Sequence, residues 1–151
     1  MAEYFNSYRE SEDAIMSLSD DEAGRLYKAK FLYFFDEVKP DFSDNVRLQM
    51  VWSYERAKLD RDKHSIYVQS VANSYKTYLR DLPEGEQRLN REGWLIAQKN
   101  NVIQREYPNI AIDQVTLEDM RRLDLAELKK QEKELRKRKR DASEDDFAEV
   151  Y

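Results

Sequence analysis

Leu18–Phe35, with the sequence LSDDEAGRLYKAKFLYFF, decides the fold class because it joins a helix start to one continuous apolar face. Ser19 and Glu22 have the spacing of a capping box, in which each side chain accepts a hydrogen bond from the backbone N–H of the other residue. Apolar residues then recur at steps of three and four, as on one helical face. They are Ala23, Leu26, Tyr27, Phe31, Phe34, Phe35 and Val38. The stretch predicts an amphipathic helix that stops before Pro40 and packs this face in a core.

Two residues of this helix depart from the apolar pattern. Gly24 costs about 1 kcal/mol relative to Ala inside a helix, so we expect it to permit the close approach of a neighbouring helix. Tyr33 lies off the apolar face, where an aromatic ring with a polar tip marks a candidate protein-contact surface. Core packing is the expected role of the other rings.

The composition of the whole chain favours an all-α protein. Its 151 residues include only three Gly and three Pro and are 38% charged, whereas a β-sandwich or an α/β fold of this length needs more turn-forming residues. We predict a small helical bundle with a long central helix and a C-terminal basic helical extension. Because the chain has no Cys and one His, thiolate zinc sites and multi-histidine sites are excluded, and no metal or cofactor is expected.

A long helix is predicted from a cap at Ser43 or Asp44 to Leu82, because no Gly or Pro interrupts this run. Its side chains form two stripes. One contains Met50, Tyr54, Ala57, Arg61, His64, Val68, Val71, Tyr75 and Tyr78, and the other contains Leu48, Trp52, Leu59 and Ile66. Such a helix either packs centrally or meets a second copy of the chain. Central packing is favoured, and a homodimer is the alternative.

Pro83 and Gly85 mark the clearest internal boundary. The predicted parts are a helical domain at 1–82, additional helices packing on it at 83–128, and a basic helix end with a disordered acidic tail at 129–151. One additional helix is predicted at about 84–106. Another is predicted to follow a cap formed by Thr116 and Asp119.

Positive charge is concentrated in one segment near the C-terminus. Eight basic and two acidic residues between positions 129 and 140 give this segment a charge of +6, which leaves −11 on the rest of a chain whose net charge is −5. The basic residues are Lys129, Lys130, Lys133, Arg136, Lys137, Arg138, Lys139 and Arg140. Such a run binds nucleic-acid phosphates without sequence preference. The alternative is a solvated helix end whose cations complement the helix dipole.

The last eleven residues, DASEDDFAEVY, are predicted to be disordered. Candidate protein-contact residues in this tail are Asp145, Asp146, Phe147 and Tyr151. Three roles remain open for the tail: folding back over the basic segment in competition with DNA, binding a host protein, or keeping the chain soluble.

Asp60, Arg61 and Asp62 form the most conspicuous carboxylate cluster. Residues two apart on a helix point to different sides, so the two carboxylates do not share one cation, and structural ion pairing is favoured over metal binding. His64 is interpreted as a packed or hydrogen-bonded helix residue, since the chain has no Cys and no second His to act with it. Since the Walker, dinucleotide-binding and zinc-protease motifs are also absent, we do not expect an enzyme.

Residues 18–63 resemble a family of small phage and prophage proteins that carries a domain of unknown function. The resemblance rests on LSDDEAGRLYKA, on EVKPDF, and on RLQMVWSYERAKLDRDK. Proteins of this family often lie among phage replication genes, and related ones are described as replisome-organiser-like. The resemblance therefore implies a role around phage DNA replication but supplies no biochemical activity. Family members continue into a basic tail, whereas this chain prolongs the helix with HSIYVQSVANSYKTYL.

The expected function is that of a non-catalytic phage accessory protein in the cytoplasm of the bacterial host. Its expected partners are a host or phage protein and DNA, with no membrane, because no apolar run approaches the ~20 residues that cross a bilayer. The alternative is a phage-encoded inhibitor or adaptor that binds a host protein through its acidic helical surface.

Overall fold

The computed structural model describes residues 9–101 and 109–148, with the side chains of all of these except 10, 110 and 145–148. The helices are α1 (Glu12–Met16), α2 (Asp20–Asp36), α3 (Val46–Asp81), α4 (Arg91–Asn100) and α5 (Leu117–Ala148), with 3-10 turns at Arg9–Ser11 and Ile110–Gln114. No strand occurs in the described ranges, and the predicted all-α class is confirmed.

The start of α2 is the capping box that its sequence predicts. Ser19 Oγ accepts from the backbone N–H of Glu22 at 3.2 Å, and Glu22 Oε1 accepts from the N–H of Ser19 at 3.0 Å. The helix ends because Glu37 adopts a left-handed conformation with φ of 58° and donates its N–H to the Tyr33 carbonyl. The last residue of the helix, Asp36, lies four residues before Pro40.

Two compact units divide within α3, the first ending at Tyr67 and the second beginning at Val68. The boundary predicted from the sequence lies between 82 and 83, just after α3 ends at Asp81. Since α3 continues across the division, it contributes side chains to both units.

The core of the first unit lies between α2 and the N-terminal half of α3. One cluster contains Leu18, Leu26, Ala29, Phe42 and Leu48, and a second contains Tyr33, Phe34 and Leu59. The cap of α3 is Asn45 and not the predicted Ser43 or Asp44, since Asn45 Oδ1 accepts from the N–H of Leu48 at 3.0 Å. The same Asn45 donates its side-chain amide to Glu22 Oε2 at 2.8 Å, which ties the two helix starts together.

The core of the second unit forms around Trp94 of α4. Its ring lies 5.7 Å from that of Tyr75 in α3, and both residues are 1% exposed. Other buried apolar residues here are Val71, Leu95, Ile112, Val115 and Met120. Thr116 and Asp119 form the predicted cap of α5, with Thr116 Oγ1 accepting from the Asp119 N–H at 3.2 Å.

The two stripes of α3 are buried in different halves of the helix. Met50 and Tyr54 are 71% and 50% exposed, whereas Val71 and Tyr75, on the same stripe, are buried. On the other stripe, Leu48 and Leu59 are buried in the first unit, and Trp52 and Ile66 pack against its clusters. One helix serving two cores accounts for the buried parts of both stripes, and the homodimer stays a prediction.

The buried face of α2 differs from the predicted face by about one residue. It consists of Leu26, Ala29, Lys30, Tyr33 and Phe34. Tyr27 and Phe31 were predicted to lie in the core but are 63% and 47% exposed. The physical reason is Lys30, which turns inward to an acidic partner on α3 instead of extending to solvent.

Gly24 does not permit a close helix approach, because an added Cβ at this exposed position meets no atom within 4 Å. We therefore expect Gly24→Ala to raise the free energy of unfolding by about 0.5–1 kcal/mol through a smaller backbone entropy loss. Urea denaturation measures the change. A destabilised variant would contradict the open environment of Gly24.

The helices at the C-terminal side also differ from their predicted bounds. α4 starts at Arg91 and not near 84, because Asn90 Oδ1 accepts from the Gly93 N–H at 2.8 Å and caps it there. The predicted continuation at 102–106 lies outside the described residues. α5 runs through Ala148, so the prediction of disorder is wrong for 141–148. Uninterrupted helix-forming sequence and the opposite charges at Lys137/Asp141 and Arg140/Glu144, each four residues apart, account for the continuation.

Candidate nucleic-acid interface

The basic segment of α5 presents most of its charge on one side of the helix. Each residue turns an α-helix by about 100°, so Lys129, Lys133, Arg136 and Arg140 form one row, with Lys130 and Lys137 beside it. Arg138 points to the opposite side, and Lys139 lies on the other flank of the row, away from Lys130 and Lys137. All eight side chains are exposed. The predicted cluster therefore divides into a basic face of six residues and two residues off that face.

The basic face has a shallow surface hollow. Its lining residues are Lys130, Lys133, Glu134, Arg136, Lys137 and Arg140. Glu134 contributes the one carboxylate of this lining, and Arg140 Nε lies 3.9 Å from Asp141. Clustered ammonium and guanidinium groups of this kind bind phosphate oxygens by charge-assisted hydrogen bonds.

The root of α5 is held by the start of α4. Asp124 accepts from the backbone N–H groups of Arg91 and Glu92, each at 3.2 Å, and so caps α4 from another helix. Arg91 also pairs with Glu127, and this pair lowers the pKa of the Glu127 carboxyl below its ordinary value. A second bridge joins Arg121 Nη2 to Glu92 Oε1 at 2.7 Å.

Beyond this anchor α5 is exposed on all sides as far as Glu144. Glu127 is half-buried, and every side chain from Leu128 to Glu144 is exposed. Leu128 and Leu135, which are 55% and 56% exposed, lie away from the basic face. The basic face therefore belongs to a helical arm that extends from a fixed base.

Tyr33 does not provide the predicted contact surface, since it is 8% exposed. Its hydroxyl donates to Asp60, and the ring lies edge-on against Trp52 with centroids 5.3 Å apart. Burial, and then the hydrogen bond to Asp60, raise the pKa of the Tyr33 hydroxyl. The prediction was wrong because a carboxylate on α3 draws this side chain into the helix interface.

Asp60, Arg61 and Asp62 are not gathered into one site. Asp60 accepts from Tyr33 and pairs with Arg56 at 3.7 Å, whereas Arg61 is exposed and Asp62 is half-buried. Across the ranges 9–101 and 109–148, no group of three His, Asp or Glu residues has the geometry to hold a metal ion.

Sequence reasoning missed a buried charged cluster between α2 and α3. Lys30 Nζ lies 3.0 Å from Glu55 Oε2, and Lys58 Nζ lies 3.9 Å from Glu55 Oε1. Lys58 also donates to Ser11 Oγ at 2.6 Å. Burial acts to raise the pKa of Glu55, but the Ser11 hydroxyl and Lys30 lower it below its ordinary value. The spacing of Leu48, Trp52, Glu55 and Leu59, which places Glu55 on the buried stripe, is the signal that identifies it.

A groove of about 270 Å³ lies at the end of α2. Phe34, Phe35, Ile66 and Tyr67 form its apolar part, and Asp36, Glu37 and Lys63 form its polar part. Lys63 Nζ lies 3.3 Å from Glu37 Oε1, so these two charged groups of the groove are paired with each other.

The acidic candidates near the C-terminus are only partly described. Asp145, Asp146 and Phe147 belong to α5 by their backbone, but their side chains lie outside the described set. Tyr151 lies outside the described residues altogether. Their proposed role in protein contacts stays a prediction.

None of the helices in the described residues combines the length and hydropathy that crossing a lipid bilayer requires.

Comparison with known proteins identifies the family. Neither a curated protein nor a solved structure matches the chain. One family model, described as a family of unknown function (DUF6291), matches residues 4–79. α5 and its basic face lie outside this match. Because the match covers half of the sequence, the chain belongs to the DUF6291 family of unknown function.

Proposed function

We propose that the protein is a non-catalytic, phage-encoded accessory protein that binds nucleic acid through the basic face of α5 and acts in or near DNA replication. One observation carries the nucleic-acid part: six cationic side chains lie on one side of an exposed helical arm. The phage origin and the replication setting rest on the resemblance of residues 18–63 to phage proteins associated with replisome organisers.

The physical basis of binding is the release of counterions from nucleic-acid phosphates. Each phosphate that a cation neutralises contributes about −0.9 to the slope of log affinity against log salt for duplex DNA. Six contacts therefore give a slope near −5. Of the −11 outside the basic segment, residues 1–128 carry −6 and residues 141–151 carry −5, so these parts repel phosphates and restrict close contact to the basic face.

Two double variants test the location of binding with equal removal of charge. Arg136→Gln/Arg140→Gln changes the basic face, and Arg138→Gln/Lys139→Gln changes the same segment off that face. Gln keeps the helix propensity close to that of Arg and Lys. We expect the first variant to bind about tenfold more weakly and the magnitude of its slope of log affinity against log salt to fall by about 2. The second variant should change much less in both quantities.

The measurement is fluorescence anisotropy of labelled single- and double-stranded DNA at low salt, with circular dichroism as the control for helix content. Absence of binding by the unchanged protein at micromolar concentration would remove the nucleic-acid function. Binding that does not depend on salt would remove its electrostatic basis.

A second candidate function follows from the same charge distribution. An adaptor or inhibitor that binds a basic surface of a host protein uses the acidic residues outside 129–140, which together carry −11, and not the basic face. An affinity pull-down from host lysate, with and without nuclease treatment, separates the two functions. Capture that survives nuclease treatment and neutralisation of Arg136 and Arg140 favours the adaptor.

A further inference from the structure

We infer that the arm of α5 binds B-form duplex DNA by lying along the major groove, a mode that excludes single strands and RNA duplexes as preferred ligands. The inference rests on the proposed function and specifies its substrate class. It follows from three properties of the arm: its free circumference, its one-sided charge and its side-chain types.

The free circumference allows the arm to enter a groove. Residues 128–144 are exposed on every side and, at 1.5 Å per residue, extend about 25 Å beyond the anchor. The major groove of B-DNA is about 12 Å wide and admits one α-helix. A helix packed along its length against the protein body offers only one side, whereas this arm is exposed on all sides.

The cations of 129–140 lie on one side of the arm and match the walls of the groove, and Asp141 and Glu144 bound this basic face at its C-terminal end. The row from Lys129 to Arg140 is about 17 Å long, which corresponds to about five base pairs at 3.4 Å per pair. Lys130 and Lys137 widen the row on one side, so cations are available for phosphates on both strands. Leu128 and Leu135 lie off this face and remain directed away from the DNA.

The side-chain types argue against a single-stranded ligand. Proteins that bind single strands stack bases on aromatic rings, and the sequence has no aromatic residue from 109 to 146. An RNA duplex is also disfavoured, because its major groove is too deep and narrow for protein side chains to reach. Duplex DNA is the nucleic acid that this arm fits.

The test compares three fluorescent ligands of one sequence with the full chain at about 50 mM salt: a DNA duplex of about 24 base pairs, its single strand, and the corresponding RNA duplex. We expect the DNA duplex to bind at least about tenfold more tightly than the other two. Saturating the duplex beforehand with methyl green, which occupies the major groove, should abolish most binding. Netropsin, a minor-groove ligand of equal charge, should leave it nearly unchanged.

The outcomes separate this inference from the function on which it rests. Preference for the DNA duplex together with loss of binding under methyl green supports the major-groove mode. Three outcomes overturn the major-groove mode while leaving nucleic-acid binding intact. They are equal binding to all three nucleic acids, tighter binding to the single strand, and equal competition by methyl green and netropsin. Failure to bind any of the three overturns the proposed function itself.

Discussion

Replacement of Glu55 by Ala is expected to destabilise the first unit by about 3–5 kcal/mol. Glu55 is 1% exposed, and its neighbours Lys30 and Lys58 are 4% and 6% exposed. Removing the carboxylate leaves two buried ammonium groups without their shared counter-ion. Because a buried charge without a counter-ion is far more costly than a lost surface pair, the whole unit loses stability.

Unfolding of the first unit can be followed through a single fluorophore. The chain has two Trp residues, with Trp52 in the first unit and Trp94 in the second, so a Trp94→Phe background leaves Trp52 as the reporter. Asp44→Ala is the matched control, since it breaks the exposed pair with Arg25 and is expected to cost less than about 1 kcal/mol. Equal urea midpoints for the two variants would show that the buried cluster adds nothing.

The same cluster contributes to the acid sensitivity of the first unit. Burial raises the pKa of Glu55, but Ser11 and Lys30 outweigh it and hold this pKa below the ordinary value of 4.5. The stabilisation is therefore present above the unfolded-state pKa and is lost as the pH falls through the lower folded-state pKa. Urea midpoints of Glu55→Gln measured across this range should lack that component of the decline.

Replacement of Trp94 by Ala is expected to cost the second unit about 3–5 kcal/mol. Trp94 is 1% exposed, and its ring lies 5.7 Å from Tyr75 and 6.2 Å from Tyr78. Truncation leaves a cavity between α3 and α4 and removes both ring contacts. The anchor of α5 is weakened as well, because Arg91 lies one turn before Trp94 on α4.

Hydrogen exchange of peptides from α4 reports this loss directly. Ile96→Ala is the matched control, since Ile96 is 41% exposed on the same helix and should cost less than about 1 kcal/mol. Faster exchange in α4 is expected for Trp94→Ala alone. Equal protection in both variants would contradict the central position of Trp94 in this core.

The sequence predicted helices where local chemistry determines them. The capping boxes at Ser19/Glu22 and Thr116/Asp119 depend on residues three apart and form as predicted. The buried face of α2 differs from the predicted face because Lys30 is buried against Glu55, a partner 25 residues away in the sequence. A prediction from apolar periodicity assigns lysine to the solvent side, so it does not detect an ion pair between two helices.

The candidate site was predictable in its composition but not in its geometry. The eight cations of 129–140 are evident from charge, and their division into a face and two off-face residues follows once the helix is continuous. Tyr33 was misplaced for the same reason as Lys30, since its partner Asp60 lies on another helix. The family match at 4–79 does not include the arm, so nucleic-acid binding is proposed for this chain and not for its family.

The most direct test of the central claim is the ratio of two dissociation constants for duplex DNA, measured in one buffer. The dissociation constant of Arg136→Gln/Arg140→Gln is divided by the dissociation constant of Arg138→Gln/Lys139→Gln. The two variants have identical net charge. A basic face that binds phosphates predicts a ratio of about ten. A ratio of about one, with binding retained, would show that the arm attracts DNA only by its total charge and would contradict the account.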